Sequence, residues 1–173
     1  MRHAISKLAH LHLPATALSR KRLIRMGEPP GAVVNVGSPA VDGLRDVRPA
    51  DDAPAIIVLQ HPIGADDARE QRWMRQTLAA TDRWKGDRLV MMPNHDPGRA
   101  GIVAAIGKAR VEPVDHLPRD RWLATLAGAR VIVGNSSAGL IEAAVLKTPC
   151  VNVGPRQAAR EHGANVVHCD YGQ

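Results

Sequence analysis

The chain has 173 residues, 45% of them hydrophobic and 23% charged, enough for one globular domain or slightly more with a core of its own. Only 2% are aromatic and Phe is absent, which argues against recognition of single-stranded nucleic acid by base stacking. The formal net charge of +6 comes mostly from Arg interspersed with Asp and Glu; it reads as a solvated surface rather than a nucleic-acid patch, although single guanidinium forks suit phosphate.

In chain order, Leu11 to Leu13 reads as a strand, Thr16 to Met26 as a helix, and Val33 to Val36 as a second strand. After Asp42 the sequence turns polar and Pro-rich through Pro54, as a linker does. Ile56 to Leu59 is then a continuous apolar strand, and Asp66 to Arg83 a helix. Leu89 to Met92 is the next strand, closed by Pro93, and a Gly/Ala-rich helix runs to Lys108. A weaker strand at Val111 to Val114 leads to a helix over Leu117 to Ala127, with Leu123, Leu126 and Ala127 on one face. Arg130 to Val133 is the clearest strand. It is followed by Asn135-Ser136-Ser137 and a helix whose expected buried stripe is Leu140, Ile141, Ala144 and Val145. Pro149 ends that helix, Cys150 to Val153 is strand, and a short helix and Val166-Val167 complete the pattern. Strands alternating with helices at this spacing predict βαβ units on a Rossmann-like, doubly wound parallel sheet of the α/β class.

In such a sheet ligands lie beyond the carboxyl ends of the strands. Those positions hold His61, the Asn94-His95-Asp96 turn, His116, the Gly134 to Glu142 segment and Gly154-Pro155-Arg156. Small residues at a strand-to-helix turn let backbone N–H groups approach an anion, and Ser136 and Ser137 add hydroxyls. Glu142, five residues beyond Ser137, is placed to accept from a ribose diol; Arg156 is placed to clamp a diphosphate. The plainer readings are a helix cap for Ser137, a solvated carboxylate for Glu142 and a surface guanidinium for Arg156. His61 is placed to meet a phosphate or protonate a leaving group, or is simply a polar cap; Asn94 and Asp96 also fit an Asx-type turn. His10 and His12 share a strand face but lack a third ligand nearby, so no metal site is expected. Cys150 and Cys169 form no close pair, no apolar run approaches bilayer length, and Met1 to Lys7 lacks a signal-peptide core, which together point to a reducing cytoplasm and no membrane.

Several segments taken in order carry a resemblance. They are Arg2 to Lys7 running into His10-Leu11-His12-Leu13, Val36-Gly37-Ser38-Pro39, Gln60-His61-Pro62, Met92 to Gly98, Gly134 to Ala143, and Thr148 to Gln157. Together they resemble the hydrolysing UDP-N-acetylglucosamine 2-epimerases. That resemblance implies a GT-B-like fold of two Rossmann-like halves with UDP between them. The reaction would be elimination of UDP across C1–C2 to a 2-acetamidoglucal, then hydration to the free 2-epimeric sugar of N-acetylmannosamine type. By motif, Ser136, Ser137 and Arg156 hold the diphosphate and Glu142 the ribose. His61 lies near the diphosphate and the breaking C1–O bond, and Asn94 lines the sugar pocket; no metal or redox cofactor is implied. The likeness covers the second half of that family and the end of the first. Residues 1–43 are expected to be a remnant of the N-terminal domain, 44–53 a linker and 54–173 the UDP-binding domain. The family's acid/base carboxylates lie upstream of the matching segment, so the expectation is a truncated enzyme that binds UDP without turnover. Other expectations are a noncatalytic UDP-binding or assembly module needing a separately encoded first half or a second protomer, a GT-B glycosyltransferase fragment, and last a basic nucleic-acid binder.

Overall fold

The computed structural model describes residues 2–84 and 86–172; the readings that touch Met1 and Gln173 lie outside them. The chain divides into two compact units, one ending at Asp42 and one beginning at Gly43.

The first unit holds α1 (Arg2–Leu8), for which the sequence carried no expectation, and α2 (Ala17–Arg25). Thr16 caps α2 by accepting from the Ser19 N–H at 3.1 Å, within the expected Thr16 to Met26 span. The two expected strands do not form. Residues 11–13 and 33–36 meet only at an isolated parallel bridge, His12 to Val33. The His12 N–H donates to Ala32 O and the Val34 N–H to His12 O. Pro14 has no N–H to continue the ladder, and no further strand flanks the pair among the described residues.

The second unit is a six-stranded, all-parallel sheet. Its strands are β1 (Ile56–Leu59), β2 (Arg88–Met91), β3 (Pro113–Val114), β4 (Val131–Gly134), β5 (Cys150–Val153) and β6 (Val166–Cys169), in spatial order β3-β2-β1-β4-β5-β6. This is the doubly wound order, with its switch point between β1 and β4. The register runs Ile56 to Val131 through Leu59 to Gly134. At one border β3 is two residues long and includes Pro113; at the other, β6 is four residues long.

Period-two alternation along β1 divides the core. Ile56 and Val58 face Met74 and Leu78 of α3 (Asp67–Asp82) and Ile102, Ala105 and Ile106 of α4 (Arg99–Lys108). Ile57 and Leu59 face Leu126 of α5 (Arg119–Gly128) and Leu140 and Ala143 on the other side. Asp66 starts α3 by accepting from the Arg69 N–H at 2.9 Å. Gly101 lets α4 close on α3, since a Cβ there would sit 2.1 Å from Asp67 O. The segment after β4 departs from expectation. A 3-10 turn (Ser137–Gly139) precedes α6 (Glu142–Leu146), so the α-helix starts at Glu142 instead of running on from Ser137. The buried positions are Leu140 and Ala143, whereas Val145 is exposed and Ala144 half-buried. Lys147, left-handed at φ 61°, ends α6 before Pro149. Residues 43–54 belong to the second unit, with Leu44 buried.

Candidate functional site

The carboxyl ends of β1 and β4 stay paired through Leu59 and Gly134. The φ of +140° at Gly134 and the 2.1 Å separation a Cβ would have from Leu59 O leave only glycine able to carry the backbone there. The next residue, Asn135, is fully buried and ties the two strands together. Its Oδ1 accepts from the His61 N–H at 2.7 Å and its Nδ2 donates to His61 O at 2.8 Å. Its own carbonyl accepts from Arg156 Nη1 at 3.2 Å and from Gln157 Nε2 at 2.7 Å. One asparagine therefore sets the positions of His61 and Arg156.

His61 Nδ1 accepts from the Asn94 N–H at 3.1 Å, which leaves the ring proton on Nε2. Burial, aided by the positive charge of Arg156 and opposed by Asp96, lowers its pKa to about 4. The ring is thus a neutral Nε2–H donor at pH 7. Asn94 Nδ2 donates to Asp96 Oδ2 at 2.6 Å, and Arg156 Nη2 lies 3.9 Å from the same carboxylate oxygen. His61, Asn94, Asp96 and Arg156 accordingly meet in one crevice, beside a groove of about 400 Å³ lined by Pro62, Ile63, Gly64, Asp96, Pro97 and Arg156. Gln60 Nε2, Asn94 Oδ1 and Gln157 Oε1 are buried near these strand ends without a hydrogen-bond partner. Such groups are costly unless a polar ligand or solvent completes them.

The serines sit just beyond Asn135. The Ser136 hydroxyl accepts from the Ala138 N–H at 3.4 Å, so it is Ser136 that caps the 3-10 turn, while Ser137 opens it and is half-buried. The dipole behind them belongs to a 3-10 turn and a five-residue helix, much weaker than that of the continuous helix expected. Glu142 pairs with Arg119. Its Oε1 is 3.4 Å from Arg119 Nη1, and burial raises its pKa against the opposing pull of Arg119. Arg119 also lines a mainly apolar groove of about 340 Å³ with Leu59, Met91, His116, Leu117 and Trp122. The strand ends thus offer a polar crevice and a mainly apolar groove to which Arg119, the partner of Glu142, contributes.

Sequence reasoning named His61, Asn94, Ser136, Ser137, Glu142 and Arg156 but missed Asn135 and Arg119 as organising residues. Asn135 stands immediately after a strand and before the two serines; that placement was the available signal. Arg119 carried none that separates it from a surface arginine. In the first unit, His12 is buried with its Nε2 3.2 Å from Glu28 Oε2, whereas His10 is exposed. Among the described residues no group of three or more His, Cys, Asp or Glu side chains is placed to hold a metal, and no helix is long and apolar enough to cross a membrane.

Comparison with known proteins bears on this site. The UDP-N-acetylglucosamine 2-epimerase family profile matches residues 1–173. A hydrolysing UDP-N,N'-diacetylbacillosamine 2-epimerase of Legionella pneumophila is 33% identical over 98% of this chain and 49% of its own length. A UDP-N-acetylglucosamine 2-epimerase of Neisseria meningitidis is 31% identical over 99% of this chain and 49% of its own. The chain spans about half the length of the curated relatives it matches. Among solved structures, the S. aureus MnaA-UDP co-structure superposes with a TM-score of 0.66 at 17% identity, covering 86% of this chain and 44% of that one. The Methanocaldococcus jannaschii UDP-GlcNAc 2-epimerase in complex with UDP-GlcNAc and UDP gives 0.62 at 13% identity, covering 95% and 51%. These superpositions agree with the parallel sheet and its strand order in establishing one half of a GT-B fold. The chain belongs to the UDP-N-acetylglucosamine 2-epimerase family.

Proposed function

We propose that this chain carries the nucleotide-holding half of a hydrolysing UDP-2-acetamido-sugar 2-epimerase. The observation that carries the reading is the meeting of His61, Arg156 and Asn135 at the β1/β4 switch point, in a family whose members in hand act on UDP-sugars. Arg156, with Ser136 and Ser137, holds the diphosphate; its guanidinium sits at the crevice where a phosphate replaces the weak 3.9 Å contact with Asp96. Glu142 accepts from the ribose diol, and the slot bounded by Leu59, Leu117, Arg119 and Trp122 takes the base. Asn94, whose Oδ1 is buried without a partner, faces the sugar. His61 donates its Nε2–H to an oxygen of the departing diphosphate. Held neutral as it is, it serves as a hydrogen-bond donor first, and an arriving dianion raises its pKa toward proton transfer.

The reaction breaks the C1–O bond as a proton leaves C2, releasing UDP and a 2-acetamidoglucal. Water then adds to give the free 2-epimeric sugar, of the type used to make sialic-acid-like sugars. The base at C2 is assigned to the half of the relatives that this chain does not match. Alone, the chain is expected to bind UDP without turnover in a reducing cytoplasm. A second feature favours an assembly role. Residues 11–13 and 33–36 bury His12 and Val33 on one side and expose Leu11, Leu13, Val34 and Val36 on the other. Apolar side chains exposed together call for cover, so a complementary first half or a second protomer fits that surface. The deciding experiment is UDP calorimetry on the purified chain with Arg156→Ala alongside, then an assay for free sugar after adding a relative's first half. Saturable binding weakened by the substitution supports the reading; no binding by a folded chain overturns it. Transfer of sugar to an acceptor without free sugar would indicate a glycosyltransferase instead.

A further inference from the structure

Glu70 lies in the first turn of α3, where an acidic residue ordinarily faces solvent and complements the helix dipole. Here it is 0% exposed. Its Oε1 accepts from the Ile63 N–H at 2.8 Å and the Ala65 N–H at 3.2 Å. This is not a capping box, because the side chain reaches past the Asp66 cap to the connection that follows β1. Gly98 abuts the same side chain: a Cβ there would lie 2.9 Å from Glu70 Cγ and 3.0 Å from Ala65 O. Glu70 therefore stands behind two walls of the groove lined by Pro62, Ile63, Gly64, Asp96, Pro97 and Arg156. Its other oxygen, Oε2, is buried without a hydrogen-bond partner. A carboxylate taken wholly out of water with one oxygen unpartnered carries a desolvation cost that its two backbone hydrogen bonds offset only in part.

We propose that Glu70 is a positioning residue, fixing the 61–65 connection and the 97–98 turn in the shape that presents His61, beside Arg156, to the diphosphate of a nucleotide ligand. The proposal rests on the nucleotide reading of the site, and acts through backbone placement, not through contact with the ligand. Gly64, at φ +87°, lets the connection turn between the two N–H groups that Glu70 holds. His61 leads into this connection, and the charged groups that bear on it are Arg156 and Asp96.

The test uses the full chain with Glu70→Gln and Glu70→Ala, read by UDP calorimetry and by NMR titration of the His61 ring without ligand. Glu70→Gln retains an acceptor for both N–H groups and should leave the UDP Kd within about threefold of the parent. Glu70→Ala should weaken UDP by tenfold or more and move the His61 titration upward from about 4, as water enters behind the freed connection. Should Glu70→Ala not fold, Glu70→Asp draws the acceptor back by one methylene and carries the same expectation. Unaltered UDP affinity and His61 titration in the Ala or Asp variant would overturn the proposal, as would equal losses in Gln and Ala. If the parent binds no UDP, the nucleotide reading fails by itself. The ligand-free His61 titration then decides between a positioning role, shown by a shift in Ala that Gln lacks, and none.

Discussion

Replacing Asn135 by Ala removes the bracket between β1 and β4 and tests whether one side chain organises the site. It deletes the acceptor of the His61 N–H at 2.7 Å and the donor to His61 O at 2.8 Å, at a position with no exposure. An orphaned buried polar group costs about 1–3 kcal/mol. His61 is itself half-buried, so water reaches part of the gap, and the expected loss is about 2–4 kcal/mol for the pair. A domain of this size is stable by about 5–15 kcal/mol, which makes that loss easy to see. Trp73, Trp84 and Trp122 all lie after Gly43, so tryptophan fluorescence in urea reports the unit that contains the site. The midpoint should fall with little change in slope. Asn135→Asp should do at least as much harm at neutral pH, because its second oxygen faces the His61 carbonyl. A loss below about 1 kcal/mol for Asn135→Ala, with UDP affinity retained, would refute the reasoning.

Four further outcomes follow from the same geometry. Arg156→Ala should lower UDP affinity by about 10- to 150-fold in calorimetry, the worth of a charge-assisted contact to phosphate of about 1.5–3 kcal/mol. Glu142→Ala should weaken UDP about 3- to 10-fold while leaving pyrophosphate, which has no ribose, unaffected in a competition assay. His61 has a pKa of about 4 folded against an ordinary 6.5, so the unfolded chain binds the proton more readily between those values. Stability present above pH 6.5 should fall toward pH 4, by about 1–2 kcal/mol once solvent screening at a half-buried ring is allowed for. His61→Gln should flatten that part of the urea-midpoint profile; Glu142, with its raised pKa, acts in the opposite sense as pH rises past 4.5. Gly134→Ala should prevent folding or cost more than about 4 kcal/mol by circular dichroism in urea, because both its φ and the Leu59 carbonyl exclude a methyl group.

The second unit was legible because its signals agree at several levels. Ile56 to Leu59 and Val131 to Val133 are apolar runs of strand length, and Asp66 and Arg83 bracket α3 in sequence as they do in space. Polar residues collect after these strands, among them His61, Asn94 and Arg156, which the fold brings into one crevice. The first unit was misread because residues 11–13 and 33–36 have β-type composition, whereas a strand also needs a neighbouring ladder. The α6 stripe was misplaced because a 3-10 turn between Ser137 and Gly139 resets the helical phase, which a 3.6-residue period does not register. Glu70 and Arg119 were invisible for a different reason. A carboxylate in a first turn and an arginine near a helix start are ordinary surface choices, and only their burial or partner marks them otherwise.

The two borders of the sheet differ in what they permit. On the β3 side, two residues with a proline among them offer a newcomer almost no backbone donors, so the sheet stops growing there. On the β6 side four residues run unshielded by proline, with Val167 at 65% exposure. Among the described strands, β6 is therefore the border at which a further strand can pair, and it leads away from β1 and β4. Association through that border would leave β1 and β4 paired as they are, since β5 stands between them and β6.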